Sequence, residues 1–335
     1  MSNKLVKALP IYVSNSGCDY HRIRLPFMAA TGLYDGDFYK GFTIDRILEY
    51  MEQSDVIVFN RTFYWGIEKL QELKRKGVKV VMDLDDHWEL PWQHPLYRQY
   101  KEKTGPEIIT CLKEADVVTV TTERLATKAR LFNSNVHVIP NALPFGVGQF
   151  TERPARQDDT FNVIYAGQSS HLEDVRTLIN PFKRIKQLPG LGFQLAGWTD
   201  QPVWNAMEKV FSRMPNYQRI EQRALIDYMS VYDKADCMIV PLTDNSFNWH
   251  KSNLKLLEAA AKKLPVVCSH VPPYSDCSEA PVLWVKKQSD WYENLRFLSE
   301  NRNEAARLGI KMYEWAVNKY NLSDWNALRF QIINT

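Results

Sequence analysis

Apolar and polar positions alternate in short blocks along the first half of the chain. Apolar runs rich in β-branched residues at 7–13, 55–60, 79–83, 117–121 and 136–139 have the length and composition of buried strands. Between them, stretches at 44–51, 67–76 and 123–132 repeat apolar residues every three or four positions, the period of an amphipathic helix. From 140 to 159 the rhythm breaks, with three prolines, two glycines and many polar residues, as in a linker. It then restarts, with strands expected at 162–166, 192–196, 237–241 and 265–268 and helices at 175–187, 225–235 and 253–262. Strands separated by helices pair in parallel, with crossover helices covering the sheet. The pattern therefore predicts an α/β protein of two facing, Rossmann-like, doubly wound domains with a cleft between them and a helical tail. In such sheets ligands bind beyond the carboxyl ends of the strands, so residues just after strands carry the functional information.

Length and composition fit this picture. A chain of 335 residues exceeds one hydrophobic core, and 45% hydrophobic with 24% charged residues is ordinary globular composition. A net charge of +3 creates no strong field for nucleic acid or an anionic membrane. Cys18, Cys111, Cys237, Cys268 and Cys277 are odd in number and scattered, with no C-x-x-C pair, so neither a disulfide framework nor a zinc site is indicated. No apolar run approaches the roughly 20 residues that span a bilayer. Residues 1–12 lack the basic-then-apolar pattern of a secretory signal. The expectation is a cytoplasmic protein without integral membrane association.

Three segments carry candidate chemistry. In the first, residues 241–269, a strand ends, a polar loop follows and a helix opens near Asn253. Lys251, Lys255 and Glu258 stand at spacings of four and three, one face of a helix, with Asn248, Ser252 and Asn253 around its start. Lysines beside a helix N-terminus suit a diphosphate, and a carboxylate further along suits ribose hydroxyls. A solvated face with an i,i+3 ion pair reads the same residues equally well. In the second segment, Gly167 follows the first strand of the second domain, and Ser170 and His171 come just before a helix. They could bring a phosphate close to backbone, or simply form a turn and a cap. In the third, Asp83, Asp85, Asp86 and His87 cluster at a strand end. Asp83-x-Asp85 matches a metal-binding D-x-D, but a three-letter match arises often by chance.

The run K-L-L-E-A-A-A-x-x-x-P-V-V from Lys255 resembles the donor-site signature of the retaining GT-B glycosyltransferases called family 4, or group 1. The resemblance implies that Glu258 grips the nucleotide ribose and that Lys255 lies near the diphosphate. The second Glu that many members place eight residues earlier is His250 here, leaving Asn248 or the loop backbone to contact the sugar. Likewise His171 stands as the nearest cation where members carry an Arg and a Lys. The run A-D-V-V-T-V-T-T-E-R-L-A, ending in N-V-H-V-I-P-N-A-L-P, is similar to the end of the family's N-terminal domain, and N-V-I-Y-A-G to the start of its second. The loop holding Gly17 and Arg22 resembles the loop that covers the reaction centre.

The resemblance thus implies a GT-B fold with an acceptor-side domain at 1–150 and a sugar-nucleotide domain at 151–310. Helices at 311–335 would pack back on the first. It further implies retaining transfer from a nucleoside-diphosphate sugar without metal or cofactor, Asp85 and His87 serving the acceptor. A glycan or lipid-linked saccharide is the expected acceptor, with a modified base in DNA as the alternative. Residues 1–150 hold 19 Lys and Arg against 18 Asp and Glu, a surplus of one, where a duplex-binding surface would show a clearer excess. A non-catalytic module binding a sugar nucleotide or glycan is the remaining alternative.

Overall fold

The computed structural model describes residues 7–12, 16–32, 43–155 and 159–335; the loop start at 13–15 and part of the linker at 156–158 lie outside the described residues. The chain groups into two compact units, the first comprising Met1–Ala142, His250–Ser252 and Leu322–Thr335 and the second Leu143–Trp249 and Asn253–Asn321. The sequence pattern sets these divisions near 150 and 310. In the structure the Leu143 N–H donates to the Tyr320 carbonyl at 3.1 Å and Leu143 bridges Asn321, which draws the start of the linker into the second unit.

In the first unit β1 (Ala8–Ile11), β2 (Val56–Asn60), β3 (Lys79–Leu84), β4 (Val117–Val120) and β5 (Val136–Val138) form one parallel sheet in consecutive order. Right-handed crossovers between consecutive parallel strands place their helices on a single face. Helices Ile44–Glu52, Gly66–Arg75, Gly105–Glu114 and Glu123–Ala129 cover that face, where Ile57, Phe59, Val80, Met82, Val118 and Val120 point. Thr43 and Thr122 cap two of these helices, each side-chain oxygen accepting a backbone N–H at 3.2 Å.

The alternate residues Val56, Val58, Val81 and Val117 face the other way, and period-two pleating requires that they be covered too. Their cover comes from the π-type turn Tyr20–Arg24, helix Leu25–Thr31 and, about 300 residues later in the chain, helix Leu322–Asn334, through Ile23, Phe27, Ile332 and Ile333. Two polar ties fix that last helix. Lys79 Nζ donates to the carbonyls of Ile332 and Ile333 at 3.3 and 3.1 Å, and Asn326 Nδ2 donates to the Pro26 carbonyl at 2.9 Å.

The second unit has six parallel strands, β6 (Phe161–Ala166), β7 (Leu191–Trp198), β8 (Gln218–Glu221), β9 (Cys237–Val240), β10 (Val266–Ser269) and β11 (Leu283–Val285), in the order β11-β10-β9-β6-β7-β8. The order reverses at the β6/β9 pair, which makes the space beyond their carboxyl ends the switch point of this sheet. Among the described residues the first sheet has no such reversal. Two helical expectations change. The stretch 175–187 divides into Leu172–Arg176 and Ile179–Ile185, because Pro181 lacks an N–H and its ring excludes the carbonyl four residues back. The stretch 225–235 supports only a 3₁₀ turn, Tyr228–Tyr232. No helix among the described residues is long and apolar enough to cross a membrane.

Candidate functional site

At the switch point of the second unit, β6 delivers Tyr165, Ala166 and Gly167, and helix Leu254–Ala261 delivers Lys255 and Glu258. Lys255 Nζ donates to the Ala166 carbonyl at 2.6 Å and lies 5.5 Å from the centre of the Tyr165 ring. A side chain at position 167 would collide with both groups, since a Cβ there would stand 2.7 Å from the Tyr165 hydroxyl and 3.2 Å from Lys255 Nζ. A larger residue here would thus need the Tyr165 and Lys255 side-chain ends to shift. Glu258 is buried, and its Oε2 accepts the Tyr232 hydroxyl at 2.8 Å. Burial pushes its pKa up, while the nearby Lys255 charge and the hydroxyls of Tyr232 and Tyr228 pull it back only in part.

His171 and Asn248, far apart in sequence, meet through Asp174. Asp174 Oδ2 lies 2.7 Å from His171 Nδ1, and its Oδ1 accepts from Asn248 Nδ2 at 3.0 Å and from the Thr243 N–H at 2.8 Å. Asn248 Nδ2 also donates to the Thr243 carbonyl at 2.9 Å, so one buried carboxylate fixes both the turn Ser169–His171, which carries Ser170, and the loop after β9.

The remaining residues of the expected donor set lie elsewhere. The helix begins at Leu254, so Lys251 precedes it and does not share a helical face with Lys255 and Glu258. Lys251 and Ser252 group with the first unit, where Lys251 Nζ is 3.7 Å from Asp86 Oδ1 and Ser252 Oγ accepts from Asn141 Nδ2 at 2.7 Å. Asn253 turns its amide toward Cys277 Sγ at 3.3 Å.

In the first unit the carboxyl end of β3 presents the aspartate cluster, and arginines neutralise it. Arg22 is 1% exposed and grips Asp83 with Nε and Nη2, both at 2.8 Å. The segment expected to cover the reaction centre opens as a short helix at Gly17, and its Arg22 guanidinium is buried against Asp83. Thr119 Oγ1 at 2.6 Å and Asn60 Nδ2 at 3.3 Å complete the shell of Asp83. Arg61 bridges the other two carboxylates, with Nε 2.8 Å from Asp85 Oδ1 and Nη2 3.1 Å from Asp86 Oδ2. It does so with φ of +62°, a strained conformation for a residue with a side chain, held by its N–H bond to the Asp83 carbonyl at 2.9 Å. Burial alone would raise the Asp85 pKa, but the Arg61 charge and bonds from Arg61 and Cys18 hold it well below the usual carboxylate range. So poor a base is unsuited to taking a full proton. Among the described residues no group of three or more His, Cys, Asp or Glu side chains is arranged to hold a metal ion.

His87, 2% exposed, accepts the Glu89 N–H on Nδ1 at 3.3 Å, which leaves the proton on Nε2. Burial, with the His250 and Lys128 charges, pushes its pKa down to about 3, so the ring is a neutral donor. It meets the His250 ring edge-on at 4.6 Å. Sequence reasoning passed over Asp174, Tyr165, Tyr232 and Arg61. Asp174 three residues after His171 and Arg61 directly after a strand were available signals; the tyrosines look like core and gave none.

Residues 160–301, most of the second unit, match the family model described as Glycosyl transferases group 1. No curated protein sequence matches the chain. Solved structures with a similar fold include TarM (TM-score 0.64, 14% identity, 86% of this chain and 57% of TarM). Others are sucrose-phosphate synthase from Thermosynechococcus elongatus (0.64, 16%, 86% and 77%) and Anabaena HepE in complex with UDP and glucose (0.64, 13%, 86% and 80%). The alignment thus spans little more than half of TarM. The chain thus has the fold of these GT-B structures, and its residues 160–301 match the group 1 glycosyl transferase model.

Proposed function

We propose that this chain transfers a sugar from a nucleoside-diphosphate sugar to an acceptor hydroxyl, and that its second unit holds the donor. The observation that carries this reading is the pairing of Lys255 and Glu258 at the switch point, inside the stretch matched by the family model. Glu258, oriented by the Tyr232 and Tyr228 hydroxyls, is a carboxylate of the kind that accepts ribose hydroxyls. Lys255, held on the Ala166 carbonyl, places its positive charge for a diphosphate, and His171 is positioned by Asp174 for the same anion. Stabilising the departing nucleoside diphosphate is the principal chemical task, and fixed cationic donors do it without reorganisation. HepE with UDP and glucose supports the donor class by analogy of fold.

The acceptor side is assigned to the first unit. There His87 offers a neutral Nε2–H donor to a sugar oxygen, and Asp85 acts as a fixed negative charge rather than as a proton acceptor. Retention of configuration and a saccharide acceptor, free or lipid-linked, complete the proposal. A panel of sugar nucleotides screened by thermal shift, then by mass spectrometry of transfer products, tests it. Glu258→Ala is expected to weaken nucleoside-diphosphate binding by about 1–3 kcal/mol, the scale of a lost charged hydrogen bond. Unchanged affinity in the folded variant would remove the ribose assignment. Asp85→Asn is expected to leave nucleotide affinity near normal while lowering turnover by roughly 10²-fold. Full turnover there would strike Asp85 from the reaction.

A further inference from the structure

Three consecutive residues at the end of β6 make a seat for the Lys255 ammonium. Tyr165 holds its ring centre 5.5 Å from the charge, the Ala166 carbonyl accepts from Nζ at 2.6 Å, and Gly167 contributes no side chain. The heavy atoms nearest the point where a Gly167 Cβ would stand are the Tyr165 hydroxyl oxygen at 2.7 Å, the ring carbon that bears it at 3.0 Å and Lys255 Nζ at 3.2 Å. Those two side-chain ends therefore bound the space over Gly167. Tyr165 is 1% exposed, its ring packed in the core of the second unit against Phe211 with centroids 5.9 Å apart. Its hydroxyl is sealed from solvent and has no hydrogen-bond partner among the described residues. Burial, reinforced by the Asp174 charge, holds the phenol pKa well above its ordinary value, so the oxygen keeps its proton and is a donor. A buried donor with its bond unmade is unfavourable for the fold. Phenylalanine would bring the same ring to the core and the same π face to Lys255 without that penalty. Stability of the fold thus gives no reason for the oxygen, whereas its place beside Lys255 does.

We propose that the Tyr165 hydroxyl is a further donor-site group, giving its hydrogen bond to the diphosphate that Lys255 neutralises. The inference rests on the donor reading given above and adds a residue to it. In the free protein the ammonium, drawn to the Ala166 carbonyl, stands beside Gly167 and screens the hydroxyl. A diphosphate oxygen is a stronger acceptor for a cation than a backbone carbonyl. When Lys255 turns its long, flexible side chain toward that anion, the hydroxyl faces the space over Gly167, where the backbone permits close approach. One anion then satisfies both groups, and a bond missing in the free protein becomes affinity for the bound form.

The test is calorimetric titration of the full chain with UDP, ADP, GDP and inorganic pyrophosphate, alongside thermal unfolding without ligand. The wild type is compared with Tyr165→Phe and Glu258→Ala. Tyr165→Phe should bind the preferred nucleotide and pyrophosphate each roughly tenfold more weakly, the scale of one hydrogen bond to a charged group. Its melting temperature without ligand should be no lower than that of the wild type, because removing the oxygen strands no partner. A hydroxyl that serves only the fold gives the reverse, a lower melting temperature with unchanged affinity, and overturns the inference. So does a loss confined to the nucleotide with pyrophosphate unaffected, which would direct the hydroxyl to sugar or base. If Tyr165→Phe binds like the wild type while Glu258→Ala binds the nucleotide more weakly, this inference fails and the donor reading stands. A wild type that binds none of the probes overturns both.

Discussion

At the carboxyl end of β3 the first unit matches carboxylates with guanidiniums, Asp83 with Arg22 and Asp85 with Arg61. At the carboxyl ends of β6 and β9 the second unit matches Lys255 with a backbone carbonyl and Glu258 with a phenol hydroxyl. The residue types are the same acids and bases, but the first arrangement cancels charge through direct ion pairs, whereas the second holds Lys255 and Glu258 on neutral partners, with the Lys255 charge offsetting the burial of Glu258 only in part. Removing one partner therefore has different consequences in the two places. In the first unit it strands a buried ion and costs stability. In the second it removes a polar contact and, on the donor reading proposed above, costs affinity.

The largest expected effect breaks the internal cancellation. Asp83→Ala leaves Arg22 buried and unpaired, and a loss of about 3–5 kcal/mol is expected, the scale for stripping one member from a buried pair. Hydrogen exchange resolved by peptide should show the loss in β1–β5 and leave β6–β11 protected. Uniform loss across both units would erase the contrast.

Acid should separate the units next. Burial, with the Arg22 charge, pushes the His21 pKa down to about 3, opposed by Asp85, and His87 falls to the same value. A histidine depressed on folding stabilises the protein fully above its unfolded pKa of about 6.5, and that contribution disappears as pH falls toward 3, by about 1.4 kcal/mol per unit at most. Glu258 has the opposite sign. Raised on folding, it costs nothing at low pH and becomes unfavourable as pH rises through its unfolded value. Acid titration followed by exchange should open the first unit before the second, and His87→Asn should flatten the dependence. Simultaneous opening, or no change in the variant, counts against the assignment. The smallest effect belongs to Tyr232→Phe, expected to cost about 1 kcal/mol in stability and to leave Glu258 less well positioned for the nucleotide. An unchanged melting curve and an unchanged nucleotide affinity together would show that the phenol does not orient Glu258.

Much of the architecture is legible in the sequence because buried parallel strands are continuous apolar runs, and eight of these at 55–60 through 265–268 coincide with strands. β8, Gln218–Glu221, is invisible because it is an edge strand with three charged or amide side chains facing water. Within the candidate site, Lys255 and Glu258 could be placed together because one helix turn separates them. Asp174 could not be linked to Asn248, nor Arg22 to Asp83, since partners 74 and 61 residues apart are chosen by topology rather than local pattern. Lys251 is off the face of Lys255 and Glu258 for a simpler reason: it stands three residues before the helix begins, where helical spacing does not apply.

The return of helix Leu322–Asn334 to the first sheet has a consequence for synthesis. During translation the second unit, contiguous from 143 to 321 apart from the short His250–Ser252 segment, is complete before Ile332 and Ile333 leave the ribosome. Until then Val56, Val58, Val81 and Val117 lack part of their apolar cover. The nascent first unit is thus obliged to wait, partly open, through the emergence of some 180 further residues, on the order of ten to forty seconds at ordinary elongation rates. The residues made first are thus the last to receive their full cover, and chaperone demand should fall on them.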